Sequence, residues 1–250
     1  MLIDTHCHLN FKDYDVDRDK IINQCLNKDI WMINVGVDYI SSKQVIDLAE
    51  KYERVYATIA IHPHNVGKED FNKKKFLELA KNKKVVGIGE TGLDYMFCEN
   101  DEKLQKLQKK VFIQHLKLAK ELDKPVIIHS RRLFPEILEI VKKNPVKGVL
   151  HCYMGRWSYA EEYLKLGFYI SFTGLIVYAR DYDKVIKNTP LNRILLETDA
   201  PYLSPIKGER NTPLNVEAVV KKISEIKGVS FKKVVEQTNK NAKKLFGLTF

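Results

Sequence analysis

Eight short runs rich in Val, Ile, Leu and aromatic residues recur along the 250-residue chain, at 2–8, 31–37, 55–62, 85–90, 125–129, 148–152, 168–173 and 193–199. Between them apolar residues fall at helical spacing, most clearly at Leu104, Leu107, Val111, Phe112, Leu116, Ala119 and Leu122. Several runs are continuously apolar, the pattern of parallel strands covered on both faces. Parallel strands joined by helices close into a barrel or spread into a doubly wound open sheet. Eight β–α units over this length are what a (β/α)8 barrel requires, so the expected fold is α/β, a TIM barrel in one domain over residues 1–250. The open sheet is the alternative, because strand count alone does not prove closure. Two further helices are expected at 213–227 and 230–246, separated by Gly228 and with Ser230 as the cap of the second.

Composition removes other classes. Hydrophobic residues make up 44% and charged residues 30%, enough to build a core and unlike a disordered chain. No apolar run approaches the roughly 18 residues of a membrane span. The N-terminus enters a polar, histidine-bearing strand at once and leaves no room for a secretion signal, so a cytoplasmic location is expected. Cys7, Cys25, Cys98 and Cys152 show no paired spacing and suit small buried apolar positions rather than disulfides. The formal charge of +10 suits a polyanionic partner, although most of the excess is Lys spread over helical faces.

The chemistry-capable residues are not scattered. Six of the seven histidines stand at strand ends: His6 and His8, His62 and His64, His129, and His151. Glu90 and Asp199 join them at the ends of the fourth and eighth runs. In a parallel barrel the C-terminal strand ends form one rim, where such enzymes build their sites. His6 and His8, two apart on a strand, project to the same face. Four imidazoles (His6, His8, His129, His151) and two carboxylates (Glu90, Asp199) exceed the needs of one tetrahedral ion and suit two divalent ions, Mg2+, Mn2+ or Zn2+. Glu90 is placed to bridge them, and Asp199 to ligate and to take a proton from the attacking water. Asp4 and Glu197 should point inward one layer below, either to orient a ligand imidazole or as plain buried partners. His115, mid-helix between Phe112 and Leu116, is expected to pack rather than to react.

Arg131, Arg132, Arg156 and Arg210 all follow strand ends, in a chain where Lys dominates elsewhere, and so fit phosphate recognition. Tyr95, Phe97, Tyr153, Trp157 and Tyr202 occupy the same loops and could stack bases of a single strand, or pack beneath the loops.

These residues lie in motifs that resemble the TatD-type metal-dependent deoxyribonucleases, within the amidohydrolase-like barrels. The motifs are Ile3-Asp4-Thr5-His6-Cys7-His8-Leu9, Ile61-His62-Pro63-His64, Gly87-Ile88-Gly89-Glu90-Thr91-Gly92-Leu93-Asp94, Pro125-Val126-Ile127-Ile128-His129-Ser130-Arg131, His151-Cys152-Tyr153, Glu197-Thr198-Asp199-Ala200-Pro201-Tyr202-Leu203 and Arg210-Asn211-Thr212-Pro213. The resemblance implies a DNA phosphodiesterase that trims from a 3′ end, acting on single-stranded DNA or on 3′ ends. It implies His6, His8, Glu90 and Asp199 around one ion, and Glu90, His129 and His151 around the other. His64 and Arg210 would contact substrate phosphate, and Arg131 and Tyr153 line the same loops. Ala60 and Arg132 depart from the family pattern, and the second bears on substrate contacts.

Two other readings stay open. The same site serves amide and ester hydrolases, including deacylases of charged tRNA. A nucleic-acid-binding protein without turnover is the third, although a decayed site usually loses ligands and here all six stand. No membrane or obligate protein partner is evident.

Overall fold

The computed structural model describes residues 1–96 and 98–248; the rim aromatic Phe97 lies outside the described residues. Eight parallel strands are hydrogen-bonded in sequence order: β1 (Leu2–Cys7), β2 (Ile30–Val35), β3 (Val55–Ile59), β4 (Val85–Leu93), β5 (Val126–Ser130), β6 (Gly148–Leu150), β7 (Tyr169–Phe172) and β8 (Ile194–Leu196). The helices between them are α1 (Arg18–Asn27), α2 (Tyr39–Lys51), α3 (Lys73–Ala80), α4 (Glu102–Glu121), α5 (Phe134–Lys143), α6 (Trp157–Lys165) and α7 (Asp183–Asn188). After β8 come α8 (Val216–Lys227) and α9 (Phe231–Phe246). Gly228 ends α8 in the left-handed conformation, and the Ser230 hydroxyl caps α9 by accepting the Lys233 N–H. Among the described residues no helix is long and apolar enough to cross a membrane.

The sheet closes into a TIM barrel. β8 returns to β1 through a bridge between Cys7 and Ala200, and Asp199 N–H and His8 N–H donate to the carbonyls of His6 and Ala200. Asp4 reinforces this seam by accepting from the backbone N–H and the hydroxyl of Thr198, 194 residues away. That role differs from the inward-facing one expected from alternation. The β1–β2 register shifts between Asp4 and Cys7, so Ile3 joins the inner apolar cluster instead.

Strand lengths differ from the sequence runs for local reasons. β4 continues to Leu93 because Thr91, Gly92 and Leu93 pair with Ile128, His129 and Ser130 of β5. Gly92 is required there: a Cβ at this position would lie 2.0 Å from the His129 carbonyl oxygen. β8 stops at Leu196, and Asp199 sits beyond it at a left-handed φ of 55°.

Two apolar layers hold the barrel. The larger packs the outer strand faces against the surrounding helices. The smaller joins Ile3, Trp31, Val86, Ile127, Val149, Tyr169 and Leu195, all near strand starts, to Ala242, Leu245 and Phe246 of α9. α9 therefore floors the N-terminal end and leaves the opposite, C-terminal rim free. Asn241 fixes it there by donating to the carbonyls of Leu191 and Ile194. The four cysteines are buried and free.

Candidate metal centre

A cavity of about 490 Å³ opens at the C-terminal rim. His8, Glu90, His129, His151 and Asp199 line it, and His6 lies buried just beneath. All six residues expected as ligands from the sequence are thus brought together from β1, β4, β5 and the segments that follow β6 and β8.

Glu90 stands at the centre. Its Oε1 is 2.7 Å from His129 Nδ1 and 2.8 Å from His151 Nε2, whereas Oε2 is 3.4 Å from His6 Nε2 and 3.9 Å from His8 Nε2. One carboxylate oxygen thus faces each histidine pair. Asp199 Oδ1 completes the first group, 3.5 Å from His6 Nε2 and 3.4 Å from His8 Nε2.

The hydrogen bonds around the imidazoles decide which nitrogen is available. His8 Nδ1 faces the Val35 carbonyl at 3.0 Å and must donate to it, so its Nε2 carries a lone pair. That lone pair points at His6 Nε2, 3.1 Å away, a contact that needs a proton or a cation between the rings. His6 Nδ1 is buried without a hydrogen-bond partner among the described residues. His129 Nε2 lies 3.2 Å from Asp94 Oδ2 and Nδ1 2.7 Å from Glu90 Oε1, so carboxylates face both ring nitrogens and raise the imidazole against burial. His151 Nδ1 faces Glu197 Oε1 at 3.4 Å. Carboxylates behind imidazoles in this way fix ring orientation and raise donor strength at metal sites. Glu197 is itself held by the Cys152 N–H and the Ser171 hydroxyl.

The donor set fits divalent ions. His6, His8 and Glu90 form one group whose donor atoms lie within 4.8 Å of one another, as do His6, His151 and Asp199, and His62, Glu90 and His129. Overlap of the three groups makes one continuous donor field rather than isolated pairs. Ionisation follows from it. Burial opposes charge on Glu90, but His151, His62 and His6 together with the His129 hydrogen bond hold its carboxyl well below the usual range. Burial likewise opposes charge on Asp199, outweighed by the neighbouring imidazoles of His8, His6 and His151. Burial lowers His6, and the neighbouring His151 lowers it further. His151 is raised against burial by Glu90 and Glu197.

Two members of the site are not legible as such in the sequence. His62 Nε2 lies 3.5 Å from Glu90 Oε1, and burial pushes its imidazole down to about 4. Its Nδ1 accepts the His64 N–H at 3.1 Å, which leaves the ring proton on Nε2 and makes His62 a donor toward the cavity. Asp94 is fully buried and accepts from both His64 Nε2 at 2.8 Å and His129 Nε2 at 3.2 Å. Gln108 of α4 locks it by accepting the Asp94 N–H and donating to the Asp94 carbonyl.

The expected substrate contacts divide. His64 and exposed Arg131 line the cavity. Tyr153 does not: it is buried against Phe134 and its hydroxyl donates to the Arg156 carbonyl. Arg210 is also outside the cavity lining. Its guanidinium forms two hydrogen bonds to Asp17, stacks 4.7 Å above the Tyr14 ring and so ties the β8 loop to the β1 loop. Of the described rim aromatics named from the sequence, Tyr202 alone lines the cavity, 52% exposed and edge-on to Phe11, which stacks on His8.

The comparisons with known proteins agree with this geometry. Residues 3–247 match the family model described as TatD related DNase. The chain is 37% identical to the uncharacterized metal-dependent hydrolase YabD of Bacillus subtilis, over 98% of this chain and 99% of that one. It is 32% identical to deoxyribonuclease TATDN3 of Homo sapiens, over 98% and 94% of the two chains. The crystal structure of YjjV, a TatD homologue from Escherichia coli, superposes with a TM-score of 0.91 at 28% identity, covering 99% of this chain and 98% of that one.

Proposed function

This chain belongs to the TatD-related DNase family, and we propose that it is a metal-dependent hydrolase that cleaves phosphodiester bonds of DNA from a 3′ end. The observation that carries the reading is the split of Glu90, one oxygen toward His6 and His8 and the other toward His129 and His151. His6, His8, Glu90 and Asp199 would hold one divalent ion, and Glu90, His129 and His151 the other. Bound there, Mg2+, Mn2+ or Zn2+ would neutralise the phosphate and acidify an attacking water.

The chain's own groups supply the rest. Asp199, kept ionised at neutral pH, is the acceptor for the water proton. His62 faces the cavity and offers its Nε2–H to a nonbridging phosphate oxygen, while His64 lines the cavity beside it with its Nε2–H held by Asp94. Arg131 lies on the open side of the cavity and suits the next phosphate along the strand. Asp94 orients His129 through its Nε2, and Glu197 stands 3.4 Å behind His151 Nδ1. Tyr153 and Arg210 act on the loops rather than on substrate in this reading. We take residues 1–250 as one domain that works in the cytoplasm and needs no protein partner.

The test is Glu90→Ala, assayed beside the parent with single-stranded DNA and with carboxyl-ester and aminoacyl-tRNA substrates across the three metals. Loss of metal-dependent digestion of DNA by a folded variant is the expected result. Full retained activity would remove Glu90 from the centre, and turnover of esters but not DNA would move the site to the amide and ester hydrolases.

A further inference from the structure

Arg156 and Trp157, on the loop after β6, take no part in the metal centre. They line a second cavity of about 560 Å³, between that loop and the start of α7, where Asp181, Tyr182 and Lys184 face them. The two cavities share no lining residue. They are nonetheless neighbours: His151 of the metal centre and Met154 at the edge of the second cavity are joined by about 11 Å of chain at most. Tyr153 shapes the loop between them. Its hydroxyl donates to the Arg156 carbonyl at 2.8 Å, and a Cβ on Gly155 would lie 2.5 Å from that hydroxyl oxygen. The turn is held tight, which fixes the backbone of Arg156 at the cavity wall.

The lining combines three kinds of group. Trp157 and Tyr182 are half-buried, packed on the core and still part of the cavity wall. Arg156 and Lys184 are exposed. Neither their charged heads nor the Trp157 indole N–H has a hydrogen bond or ion pair among the described residues. Asp181 supplies a carboxylate that is equally unpaired. The charges around the rim of this cavity are engaged elsewhere: Asp183 holds Arg180, and Glu162 holds Lys165. Glu161, a turn further along α6, does not line it. Aromatic rings stack on bases, and unpaired Arg and Lys take phosphate. A carboxylate accepts the amino or ring N–H of a base. An inorganic anion would use the cations alone and leave the rings, the carboxylate and most of the volume idle, whereas the volume suits a small organic ligand.

We propose that this cavity is a second nucleotide site, holding a base against Trp157 and Tyr182 and its phosphate on Arg156 and Lys184. The chemistry is the same for a free deoxynucleotide and for one unit of a strand engaged at the metal centre. Only the strand-bound source rests on the DNA reading above.

The chain offers its own probe. It has two tryptophans, and Trp31 is 4% exposed in the floor of the barrel, so ligand-dependent emission reports Trp157. In a chelating buffer dAMP should quench the parent saturably, deoxyadenosine more weakly, and inorganic phosphate not at all. Arg156→Gln/Lys184→Gln should bind dAMP about tenfold more weakly and lose its preference over deoxyadenosine. Tyr182→Ala should weaken both ligands by roughly five- to a hundredfold, the worth of one stacked base. Glu90→Ala should respond as the parent does, and Trp157→Phe should not respond. Circular dichroism confirms that each variant is folded. Metal-dependent digestion then separates the sources. A strand-bound nucleotide predicts that the Arg156/Lys184 variant has a raised KM for a ten-nucleotide strand and an unchanged KM for a dinucleotide. A free nucleotide predicts that dAMP alters dinucleotide turnover by the parent and not by the variant. No quenching by dAMP or by the strand, quenching that the variant keeps in full, or loss of quenching in Glu90→Ala would overturn the proposal and leave the DNA reading standing. A parent that shows the quenching but digests no DNA with any of the metals would overturn the DNA reading alone.

Discussion

His115 offers a prediction whose size follows from the structure. The residue is fully buried on α4, and its Nε2 accepts the Ile61 N–H at 3.1 Å. The ring proton therefore sits on Nδ1, which faces the Val111 carbonyl at 2.9 Å. Protonating Nε2 would set one N–H against another, and burial pushes the imidazole from 6.5 down to about 4. A base whose folded pKa lies below its unfolded one takes up its proton more readily when unfolded. Its contribution is therefore intact above pH 7 and is lost as pH falls from 6.5 toward 4. At 1.36 kcal/mol per unit, the whole window is worth about 3 kcal/mol, of which about 2 kcal/mol is gone by pH 5. For a chain of this size that is a fall of roughly 4–8 °C in Tm. The assay is urea unfolding of the parent and His115→Gln at pH 7.5 and pH 5, in the same metal buffer. The glutamine protein should be the less stable at pH 7.5, and the gap should narrow by about 2 kcal/mol at pH 5. A gap that stays constant would refute the neutral, Ile61-bound imidazole.

Further outcomes follow from the site and its frame. Stripping divalent ions with a chelator should lower Tm by roughly 5–10 °C relative to protein held at a hundredfold excess over Kd, reversed on adding metal back, as read by scanning fluorimetry. Glu90→Gln should abolish most of that metal-dependent shift while circular dichroism stays native. Gly92→Ala, which drives a methyl into the His129 carbonyl, should cost on the order of 3 kcal/mol in urea unfolding; a neutral effect would mean that β4 and β5 are not packed this closely. Asp17→Ala separates two roles for Arg210. If the arginine only ties two loops together, Asp17→Ala and Arg210→Ala should change KM for DNA alike, whereas a phosphate-binding role would make them differ.

The barrel was legible because six of its eight apolar runs end in histidines or acids, so one pattern marked both the fold and the rim. All six expected ligands converge for that reason. What escaped depended on contacts no local pattern encodes. A register shift in β1 turned Asp4 from the barrel interior to the seam with Thr198. Arg210 follows a strand end in the sequence, but its partner Asp17 lies 193 residues earlier. Asp94 stands in the Gly87–Asp94 motif, but its part depends on Gln108, which holds it beneath His64 and His129 from another element. The tautomer of His62 depends on the backbone N–H of His64, which no residue identity reports.

The floor laid by α9 bears on how the chain is made. Ala242, Leu245 and Phe246 close the inner layer that begins at Ile3, and Asn239 donates to the Met1 carbonyl. During synthesis the first strand therefore waits for both β8 and the helix after it before its inner face is dry. Until then Trp31, Tyr169 and their neighbours line a trough open to water and to other nascent chains. Ribosome-bound chains halted before Phe231 should be cut readily by protease and held by chaperones. Chains that carry α9 clear of the ribosome should gain protection in a single step.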